Sequence, residues 1–297
     1  MANHHIEELM VASLISGGLD EEQASQISNF RLFGNKQGYL LLENTPIVSI
    51  PPTPLSRAEI LKPDNISEMS LMQATTILGE PIAYAQESNG DIINNFFPHR
   101  ELARAATSDS YDTELDLHTE NAFHSMQPDF LSLLCLREAP EGDAVTYITS
   151  ISAVLDHLCE ADIKFFFEER YNFLSDYSDG DKNCRVDIGK KQTIFYGSRG
   201  NPFFRFDPHF MVAQSDHAHS QLQLLREIAW EVTEPVTLKA GDMLIIDNRK
   251  TAHARSPFTA LFDGSDRWIQ RTFAIADHRY NAQKLGDIRV FDLEAEL

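Results

Sequence analysis

The stretch GDMLIIDNRKTAHARSPF, residues 241–258, carries the strongest structural signal in the chain. Gly241 and Asp242 predict a turn, because both residue types favour tight backbone turns. The apolar run that follows is short and unbroken, which indicates a β-strand buried on both faces. His253 comes after this strand, in the stretch that continues towards Arg267 and Arg271. The sequence therefore predicts a buried strand that leads into a segment with a candidate metal-binding histidine.

A second candidate lies far upstream, where the chain reads His118-Thr119-Glu120. Successive side chains on a β-strand alternate between faces, so His118 and Glu120 would point the same way. This pattern alone often arises by chance, and the downstream histidine gives it weight. Two imidazoles and one carboxylate are the ligands of a facial iron site, which leaves coordination positions open. We therefore predict that His118, Glu120 and His253 bind one metal ion.

Short strand-like runs dominate the chain after an opening helical region. Strands are predicted at 38–42, 81–86, 114–121, 130–137, 144–149, 193–196, 202–207, 235–238, 243–247 and 268–276. Helices are predicted at 6–14, 21–30, 151–167 and 215–230, with another from Asn65 through Leu78 that ends at Gly79. Asn65 and Glu68 resemble a capping box at its start. Many short strands with flanking helices predict a mainly β fold, a double-sheet jelly roll, although the pattern alone allows other β-rich folds.

Length and composition agree with one elaborated domain. The 297 residues favour a single domain over 1–297, with an N-terminal helical region at about 1–35. Hydrophobic residues make up 42% and charged residues 24%, as in a soluble globular protein. No apolar window is long enough for a membrane helix, and residues 1–10 lack a signal-peptide pattern. We therefore expect a cytoplasmic protein with no membrane partner.

The formal net charge is -20, from 45 acidic and 25 basic residues. Such a surface would repel nucleic acids and anionic membranes and would attract a small cationic substrate. An acidic surface also simply keeps a protein soluble, and the charge alone does not decide between these. Cys135, Cys159 and Cys184 show no CxxC spacing, which favours reduced thiols over a disulfide framework or a zinc knuckle.

The motifs together resemble the clavaminate synthase-like branch of the Fe(II)/2-oxoglutarate oxygenases, in the TauD/TfdA superfamily. The resemblance is carried by HTENAFH at 118–124, QP at 127–128, HARSPF at 253–258, DG at 263–264 and DRW at 266–268. It spans most of positions 80–280 and implies a double-stranded β-helix with iron between two sheets. It also implies His118, Glu120 and His253 as the iron ligands. The implied cofactors are Fe(II), the cosubstrate 2-oxoglutarate and dioxygen.

The resemblance also implies a cosubstrate site. Arg267 matches the arginine that binds the distal carboxylate of 2-oxoglutarate, a role that suits a planar guanidinium because it can make two parallel hydrogen bonds. Thr146 matches the hydroxyl partner of the same carboxylate. His124 is interpreted as a structural hydrogen-bonding residue rather than a fourth ligand, and His217 and His219 as exposed residues.

Substrate recognition follows from further matches. Arg271 matches the arginine that binds the carboxylate of an amino acid substrate, and Ser108 and Gln86 match positions near the substrate backbone. The oxygen of Glu120 that is not needed by the metal could accept a hydrogen bond from the α-ammonium group. The polar stretch 176–187 predicts a loop, and the comparable region in relatives, here about 176–190, often closes over the substrate.

The residues at the far end of the pocket, which would contact the end of the substrate side chain, are expected to determine which amino acid binds. Asp207 matches a carboxylate that receives a guanidinium, an ammonium or an amide in relatives, and burying a carboxylate without such a partner would be costly. Arg205 is expected on the same strand face as Asp207, where the two charges could neutralise one another. A basic side chain, lysine or arginine, is favoured, and asparagine or a larger neutral substrate stays open.

The implied reaction is hydroxylation of an L-amino acid at C3 or C4. Asparagine, a carrier-bound amino acid, desaturation and ring closure are alternatives, and the carboxylate of Glu120 argues against halogenation. A zinc hydrolase and a non-catalytic barrel that binds a small acid are alternatives from other classes. Arg267 argues against the hydrolase, which has no use for a 2-oxoglutarate clamp. The sequence leaves the oligomeric state open.

Overall fold

The computed structural model of the protein describes the chain except residues 1, 106, 125, 175–177, 180–181, 185–187, 277–289 and 292–297. Its α-helices are α1 (Ala2–Ser16), α2 (Glu21–Phe33), α3 (Ile66–Leu78), α4 (Ile151–Leu155), α5 (Glu160–Glu168) and α6 (Asp216–Glu231). Short 3-10 helices lie at Arg57–Glu59, Ser88–Gly90 and Arg100–Leu102.

The strands in the first half of the chain are β1 (Tyr39–Leu42), β2 (Glu80–Tyr84), β3 (Asn94–Phe96), β4 (Leu115–His118), β5 (Phe130–Arg137) and β6 (Val145–Ser150). Those that follow are β7 (Arg170–Leu174), β8 (Ser178–Asp179), β9 (Lys182–Cys184), β10 (Ile188–Thr193), β11 (Phe195–Ser198), β12 (Asn201–Phe204) and β13 (Met211–Val212). The last are β14 (Glu234–Thr237), β15 (Met243–Asp247), β16 (Thr251–Arg255), β17 (Trp268–Ile275) and β18 (Val290–Phe291).

Two sheets face each other across the main core. The larger has the strand order β1-β15-β5-β17-β2-β18, with β3 also paired to β17, and the smaller has the order β14-β6-β16-β4. Leu131 and Leu244 from the larger sheet pack in one cluster with Leu117, Ile148 and Ala252 from the smaller sheet. The prediction of a mainly β jelly roll with flanking helices is confirmed.

The apolar run at 243–246 lies in β15, which is buried on both faces as predicted. Leu244 and Ile246 join the core between the sheets, whereas Met243 and Ile245 join a second core under α2 and α3. All four side chains have no exposed surface. Because side chains alternate along a strand, one short apolar run closes two cores at once.

The prediction of one strand through 114–121 is wrong at its C-terminal end. β4 ends at His118, and Glu120 lies in the turn that follows it. Asn121 has a φ of 51°, a left-handed conformation that asparagine tolerates better than most residues. The two predicted ligands therefore meet through a turn rather than by strand alternation.

The predicted strand 202–207 also ends early, since β12 stops at Phe204. The backbone of Phe206 bonds to Thr119 instead: the Thr119 N–H donates to the Phe206 carbonyl at 2.6 Å, and the Phe206 N–H donates to Thr119 Oγ1 at 3.0 Å. The expectation that Arg205 and Asp207 share a strand face is therefore wrong, because both residues lie beyond the strand.

Two helix predictions need correction. The helix from Ile66 to Leu78 ends at Gly79 as predicted, but Asn65 makes no side-chain cap. The predicted helix 151–167 is two helices, α4 and α5, interrupted between Leu155 and Glu160. A capping box that the sequence analysis overlooked begins α2, where Asp20 and Gln23 bond reciprocally. α1 and α2 lie within the N-terminal region that was predicted to be helical.

Several strands were not predicted, including β3, β7, β10, β13, β18 and, most importantly, β16 with His253. Within the predicted loop at 176–190, the structure describes the paired β8 and β9 and the start of β10, and the remaining positions of the predicted lid lie outside the described residues. Cys135 is a buried free thiol and Cys159 an exposed one. Among the described residues, no helix is long and apolar enough to span a membrane.

The double role of β15 gives a stability test. Ile246→Ala would leave a cavity between the two sheets, and we expect it to lower the free energy of unfolding by about 2–5 kcal/mol. Urea denaturation followed by circular dichroism measures this change. Val212→Ala is the control, because Val212 is 42% exposed and its truncation should cost less than about 0.5 kcal/mol. Equal losses in the two variants would contradict the assigned packing of β15.

Candidate metal centre and surrounding pocket

The pairing of β16 with β4 brings the two candidate histidines together. His253 lies directly opposite His118 in this pair, and their ring centroids are 4.3 Å apart. Glu120 Oε2 lies 3.6 Å from His253 Nε2 and 3.8 Å from His118 Nε2. Within the described part of the chain, no other group of three or more such side chains could hold a metal ion.

These three side chains fit a divalent metal ion. Two atoms that each lie about 2.1 Å from one ion can be up to about 4.2 Å apart, so both measured distances to Glu120 are within reach. His118 Nδ1 is 2.9 Å from the Asp116 carbonyl oxygen, and a bond donated there by Nδ1 leaves Nε2 as the metal-binding nitrogen. Trp230 Nε1 on α6 donates to the Asp116 carboxylate at 2.9 Å. The helix thus supports the residue that orients His118.

The charges of the three groups depend strongly on one another. Burial alone would raise the pKa of Glu120, but Arg271 and the two imidazoles hold it well below its ordinary value. Burial would lower the pKa of His118, but Glu120, Asp207 and the Asp116 carbonyl raise it to about 9. Burial and the neighbouring His118 lower the pKa of His253 to about 3. The pocket thus keeps a carboxylate and a neutral imidazole available as ligands.

Asn248, at the end of β15, fixes the backbone of Glu120. The Glu120 N–H donates to Asn248 Oδ1 at 2.9 Å, and Asn248 Nδ2 donates to the Glu120 carbonyl at 3.1 Å. The same Nδ2 donates to the Pro128 carbonyl at 2.9 Å. Asn248 has no exposed surface. One buried amide therefore replaces the strand pairing that Glu120 lacks.

Arg271 lies beside this centre, where the sequence analysis expected a substrate-binding arginine. Its Nη1 donates to Glu120 Oε1 at 2.7 Å, which leaves Oε2 facing the histidines. The guanidinium lies against the rings of Phe96 and Phe273, with its central carbon 4.6 Å and 4.3 Å from their centroids. The free Glu120 oxygen expected to accept the substrate ammonium is thus already an acceptor for Arg271.

Glu87 is a pocket residue that the sequence analysis missed. Its Oε2 accepts from Arg271 Nη2 at 2.7 Å, and its Oε1 accepts from Asn121 Nδ2 at 3.1 Å. Arg271 Nη2 also donates to Asn94 at 3.1 Å. The predicted residue was the neighbouring Gln86, in the turn after β2. The available signal in the sequence was the carboxylate of Glu87, immediately after the predicted Gln86.

Arg267 lies just before β17 and is buried, with its central carbon 5.5 Å from the centroid of Phe258. Its guanidinium makes no hydrogen bond or ion pair with any residue that the structure describes. Burial lowers the pKa of Arg267, because a charge held away from water is disfavoured. A buried cation without an anion is costly, and this side chain is therefore suited to an anionic ligand.

Thr146, the other predicted cosubstrate residue, is buried on β6. It lies directly opposite Arg255 of β16 in the strand register. Arg255 in turn is close enough to Arg267 for the two like charges to affect each other. The structure therefore brings Thr146 and Arg267 close to the same residue, Arg255.

Asp207 is buried at the metal centre, where its charge contributes to the raised pKa of His118. Arg205 packs against the ring of Tyr196, with its central carbon 4.4 Å from the ring centroid. The contact that the structure shows for Arg205 is thus with an aromatic ring. Ser108 contributes its carbonyl oxygen, which accepts a bond from Arg255 Nη1 at 3.0 Å.

The remaining histidines behave as predicted. His124 is buried, and its Nδ1 accepts a hydrogen bond from the Met126 N–H at 3.1 Å. His217 and His219 are exposed on α6. The interpretation of His124 as a structural residue is confirmed.

Comparison with known proteins connects this geometry to a family. Residues 61–273 match the model of the taurine catabolism dioxygenase TauD, TfdA family. The chain is 32% identical to an L-lysine 3-hydroxylase of Catenulispora acidiphila, over 90% of this chain and 75% of the relative. The structure resembles an asparagine oxygenase in complex with Fe(II), 2S,3S-3-hydroxyasparagine and succinate, with a TM-score of 0.82 and 25% identity over 97% of this chain and 95% of that one.

A second solved structure carries the cosubstrate. It is the non-heme iron oxygenase OrfP in complex with Fe and alpha-ketoglutaric acid, with a TM-score of 0.79 and 28% identity. The match covers 94% of this chain and 92% of that one.

The buried amide of Asn248 gives a test of the centre. Asn248→Ala removes the three bonds that fix Glu120 and Pro128, and we expect metal affinity to fall by about 10- to 100-fold. Calorimetric titration with Mn(II), which resists oxidation, measures this affinity on the folded protein. Asn201→Ala is the control, because Asn201 is exposed. If both variants bind Mn(II) as tightly as the wild type, Asn248 does not position the ligand.

Proposed function

The chain belongs to the taurine catabolism dioxygenase TauD, TfdA family, and from this premise we propose that it hydroxylates a free L-amino acid at C3 or C4. It is an Fe(II)- and 2-oxoglutarate-dependent dioxygenase. The observation that carries the proposal is the combination of a His-Glu-His set with a buried arginine, Arg267, that has no anionic partner among the residues that the structure describes. A hydrolytic zinc site has no use for that arginine, and the zinc hydrolase alternative is disfavoured for this reason.

His118, Glu120 and His253 would hold the iron. Bound iron supplies the oxygen chemistry, in which 2-oxoglutarate is oxidatively decarboxylated to succinate while an oxygen atom enters a C–H bond of the substrate. The protein contributes position and a water-poor pocket. Glu120 directs its Oε2 towards the two histidines, and its Oε1 accepts a hydrogen bond from Arg271. These two contacts fix the orientation of the carboxylate.

Arg267 and Thr146 would bind the distal carboxylate of 2-oxoglutarate. A guanidinium without a partner and a buried hydroxyl match a carboxylate in charge and in hydrogen-bonding capacity. Both lie near Arg255, since Thr146 is opposite it in the strand register and the charge of Arg267 affects its pKa.

Arg271 and Glu87 would bind the α-carboxylate and the α-ammonium of the substrate. An amino acid carries both charges on one carbon, and here a guanidinium and a carboxylate stand in direct contact beside Glu120. Ser108 and Gln86 are assigned to the same end of the substrate. Glu120 Oε1 is a second acceptor for the ammonium, because a carboxylate oxygen can accept more than one bond.

Asp207 would bind the far end of the side chain, and a basic substrate is favoured for this reason. A buried carboxylate is stabilised by a cation, and the net charge of -20 would attract one. The similarity to an L-lysine 3-hydroxylase supports lysine as the first candidate. The similarity to an asparagine oxygenase keeps asparagine as the alternative, together with a carrier-bound amino acid and with desaturation or ring closure.

We also propose that the chain acts as one oxygenase domain. Ile27 of α2 and Leu71 of α3 share a core with Met243 and Ile245 of the larger sheet. The N-terminal helices therefore cover the outer face of the sheet and do not form a separate core.

The role of Arg267 can be tested apart from the substrate. Arg267→Ala should weaken 2-oxoglutarate binding by at least about 30-fold, since charge-assisted hydrogen bonds of roughly 2 kcal/mol are lost. Mn(II) affinity should stay within about 3-fold of the wild type. Titration of the Mn(II)-loaded protein with 2-oxoglutarate measures the first, and the exposed Arg199→Ala is the control. Equal weakening of Mn(II) and 2-oxoglutarate binding would contradict the proposal that Arg267 binds the carboxylate of 2-oxoglutarate.

The substrate is tested by succinate formation and product mass with each of the twenty amino acids, under air, with Fe(II) and 2-oxoglutarate. We expect L-lysine or L-arginine to gain one oxygen atom. Only slow succinate formation with no modified amino acid would point to a carrier-bound or modified substrate. No succinate from iron-loaded protein would contradict the function itself.

Asp207→Asn is the matched variant for the same assay. Loss of the carboxylate should raise the KM for L-lysine by about 10- to 100-fold, because an ion pair held away from water is lost. Norleucine, which has no side-chain ammonium, should be affected little. An equal rise in the KM for both amino acids would show that Asp207 does not recognise the side-chain ammonium.

A further inference from the structure

Arg255 makes most of its hydrogen bonds to one nearby segment, residues 107–113. Its Nη1 donates to the Ser108 carbonyl at 3.0 Å, and its Nη2 donates to Ser110 Oγ at 2.9 Å and to the Thr113 carbonyl at 3.2 Å. Its Nε donates to the Ser256 carbonyl at 3.2 Å. A guanidinium has five N–H donors, so these bonds use four of them. All four acceptors are neutral.

The position of Arg255 connects this segment to the metal centre. Arg255 follows His253 by two residues on β16, so both side chains lie on the same face of the strand. The ring of Phe258 has Arg255 and Arg267 near it, at 5.1 Å and 5.5 Å from its centroid. Burial and the charge of Arg267 lower the pKa of Arg255 to about 9. The chain therefore holds two like charges close together inside the protein, and within the described part of the chain only Arg255 has hydrogen-bond partners.

The segment 107–113 contains neither helix nor strand, and both backbone and side-chain hydrogen bonds place it. Its internal bonds form a turn, in which the N–H and the hydroxyl of Ser110 both donate to the Thr107 carbonyl, at 3.1 Å and 2.7 Å. Arg57 Nη2 donates to Asp109 Oδ2 at 2.5 Å from the other side. Thr107 Oγ1 and Asp109 Oδ1 are buried without a hydrogen-bond partner among the described residues. Backbone bonds also hold the segment, from the His99 N–H to the Asp109 carbonyl at 3.1 Å and from the Phe258 N–H to the Tyr111 carbonyl at 2.8 Å. Arg255 adds three side-chain bonds from β16.

We propose that Arg255 is a positioning residue that holds segment 107–113, including Ser108, against the metal-bearing strand and so shapes the substrate side of the pocket. Arg267 then acts as the cation for the cosubstrate carboxylate without help from Arg255. This division rests on the proposed function in one respect, because Ser108 is assigned to the substrate. It follows from donor capacity, since Arg255 has one N–H left to offer a ligand.

Two variants separate the hydrogen bonds that Arg255 makes to segment 107–113 from the effect of its positive charge. Arg255→Lys keeps the positive charge but cannot reach all four acceptors, because an ammonium has three donors on one atom. Ser110→Ala keeps Arg255 and its charge, and removes one acceptor together with the bond that the hydroxyl donates to the Thr107 carbonyl. Ser265→Ala is the matched control, since its hydroxyl is exposed in another loop and bonds to Asp263.

The first measurement does not need a substrate. Hydrogen exchange of residues 107–113 is followed in the protein loaded with Mn(II) and 2-oxoglutarate. We expect exchange at least about 10-fold faster in Arg255→Lys and a smaller increase in Ser110→Ala. The Kd for 2-oxoglutarate should stay within about 3-fold of the wild type in both variants. Ser265→Ala should change neither quantity.

The second measurement uses L-lysine, or the amino acid that the twenty-member assay identifies. We expect its KM to rise by about 10-fold in Arg255→Lys, with less hydroxylated product per succinate, because a misplaced substrate is oxidised less often. If no amino acid is turned over, the proposed function fails while hydrogen exchange and the 2-oxoglutarate titration still decide the role of Arg255.

Two results would overturn the inference. Unchanged exchange of 107–113 in both variants would show that Arg255 does not hold the segment. Weakening of 2-oxoglutarate binding in Arg255→Lys as large as that in Arg267→Ala, with unchanged exchange in Ser110→Ala, would make Arg255 a second cosubstrate cation.

Discussion

The pairing of β16 with β4 at His253 and His118 is the contact on which the site depends. Directly opposed residues in an antiparallel pair have Cβ atoms about 4.5–5.5 Å apart, and this spacing places two imidazoles within reach of one ion. A slip of one residue in either strand would turn one histidine to the other face. The register is fixed by the burial of β4, β6 and β16 against the larger sheet. The core thus fixes the relative positions of the two histidines.

Three buried arginines surround this centre, and their partners differ in a way that indicates their roles. Arg271 is neutralised by the two carboxylates Glu87 and Glu120, so its first effect is to orient them. Arg255 donates to neutral acceptors, and its bonds position the chain. Arg267 has no such bond with the described residues, and its burial is costly until an anion arrives. Proteins rarely leave a buried charge unpaired, and for this reason Arg267 is the arginine that we propose for an anionic ligand.

The sequence predicted the three side chains that the structure brings together, but for an incomplete reason. Strand alternation was expected to align His118 with Glu120, whereas β4 ends at His118 and the buried amide of Asn248 holds Glu120. β16 was not predicted because TAHAR has little apolar character, and its pairing with two neighbours makes it a strand. Glu87 reaches Arg271 through a turn, and local sequence carries no signal for that contact. Periodicity therefore recovered the core strands and helices, while tertiary contacts determined the ends of elements at which the site is built.

The parts of the pocket differ in how firmly the fold holds them. His118 and His253 stand on paired strands, whereas Glu87, Ser108 and Asp207 all lie beyond strand ends in turns. Residues in such connections can change without disturbing the core, since their backbone takes little part in the sheets. The two histidines are therefore tied to the register of the sheets, whereas Glu87, Ser108 and Asp207, which we propose for the substrate, lie in connecting segments. A residue that fixes a turn to a strand, as Arg255 does for 107–113, links the two and would be under both constraints at once.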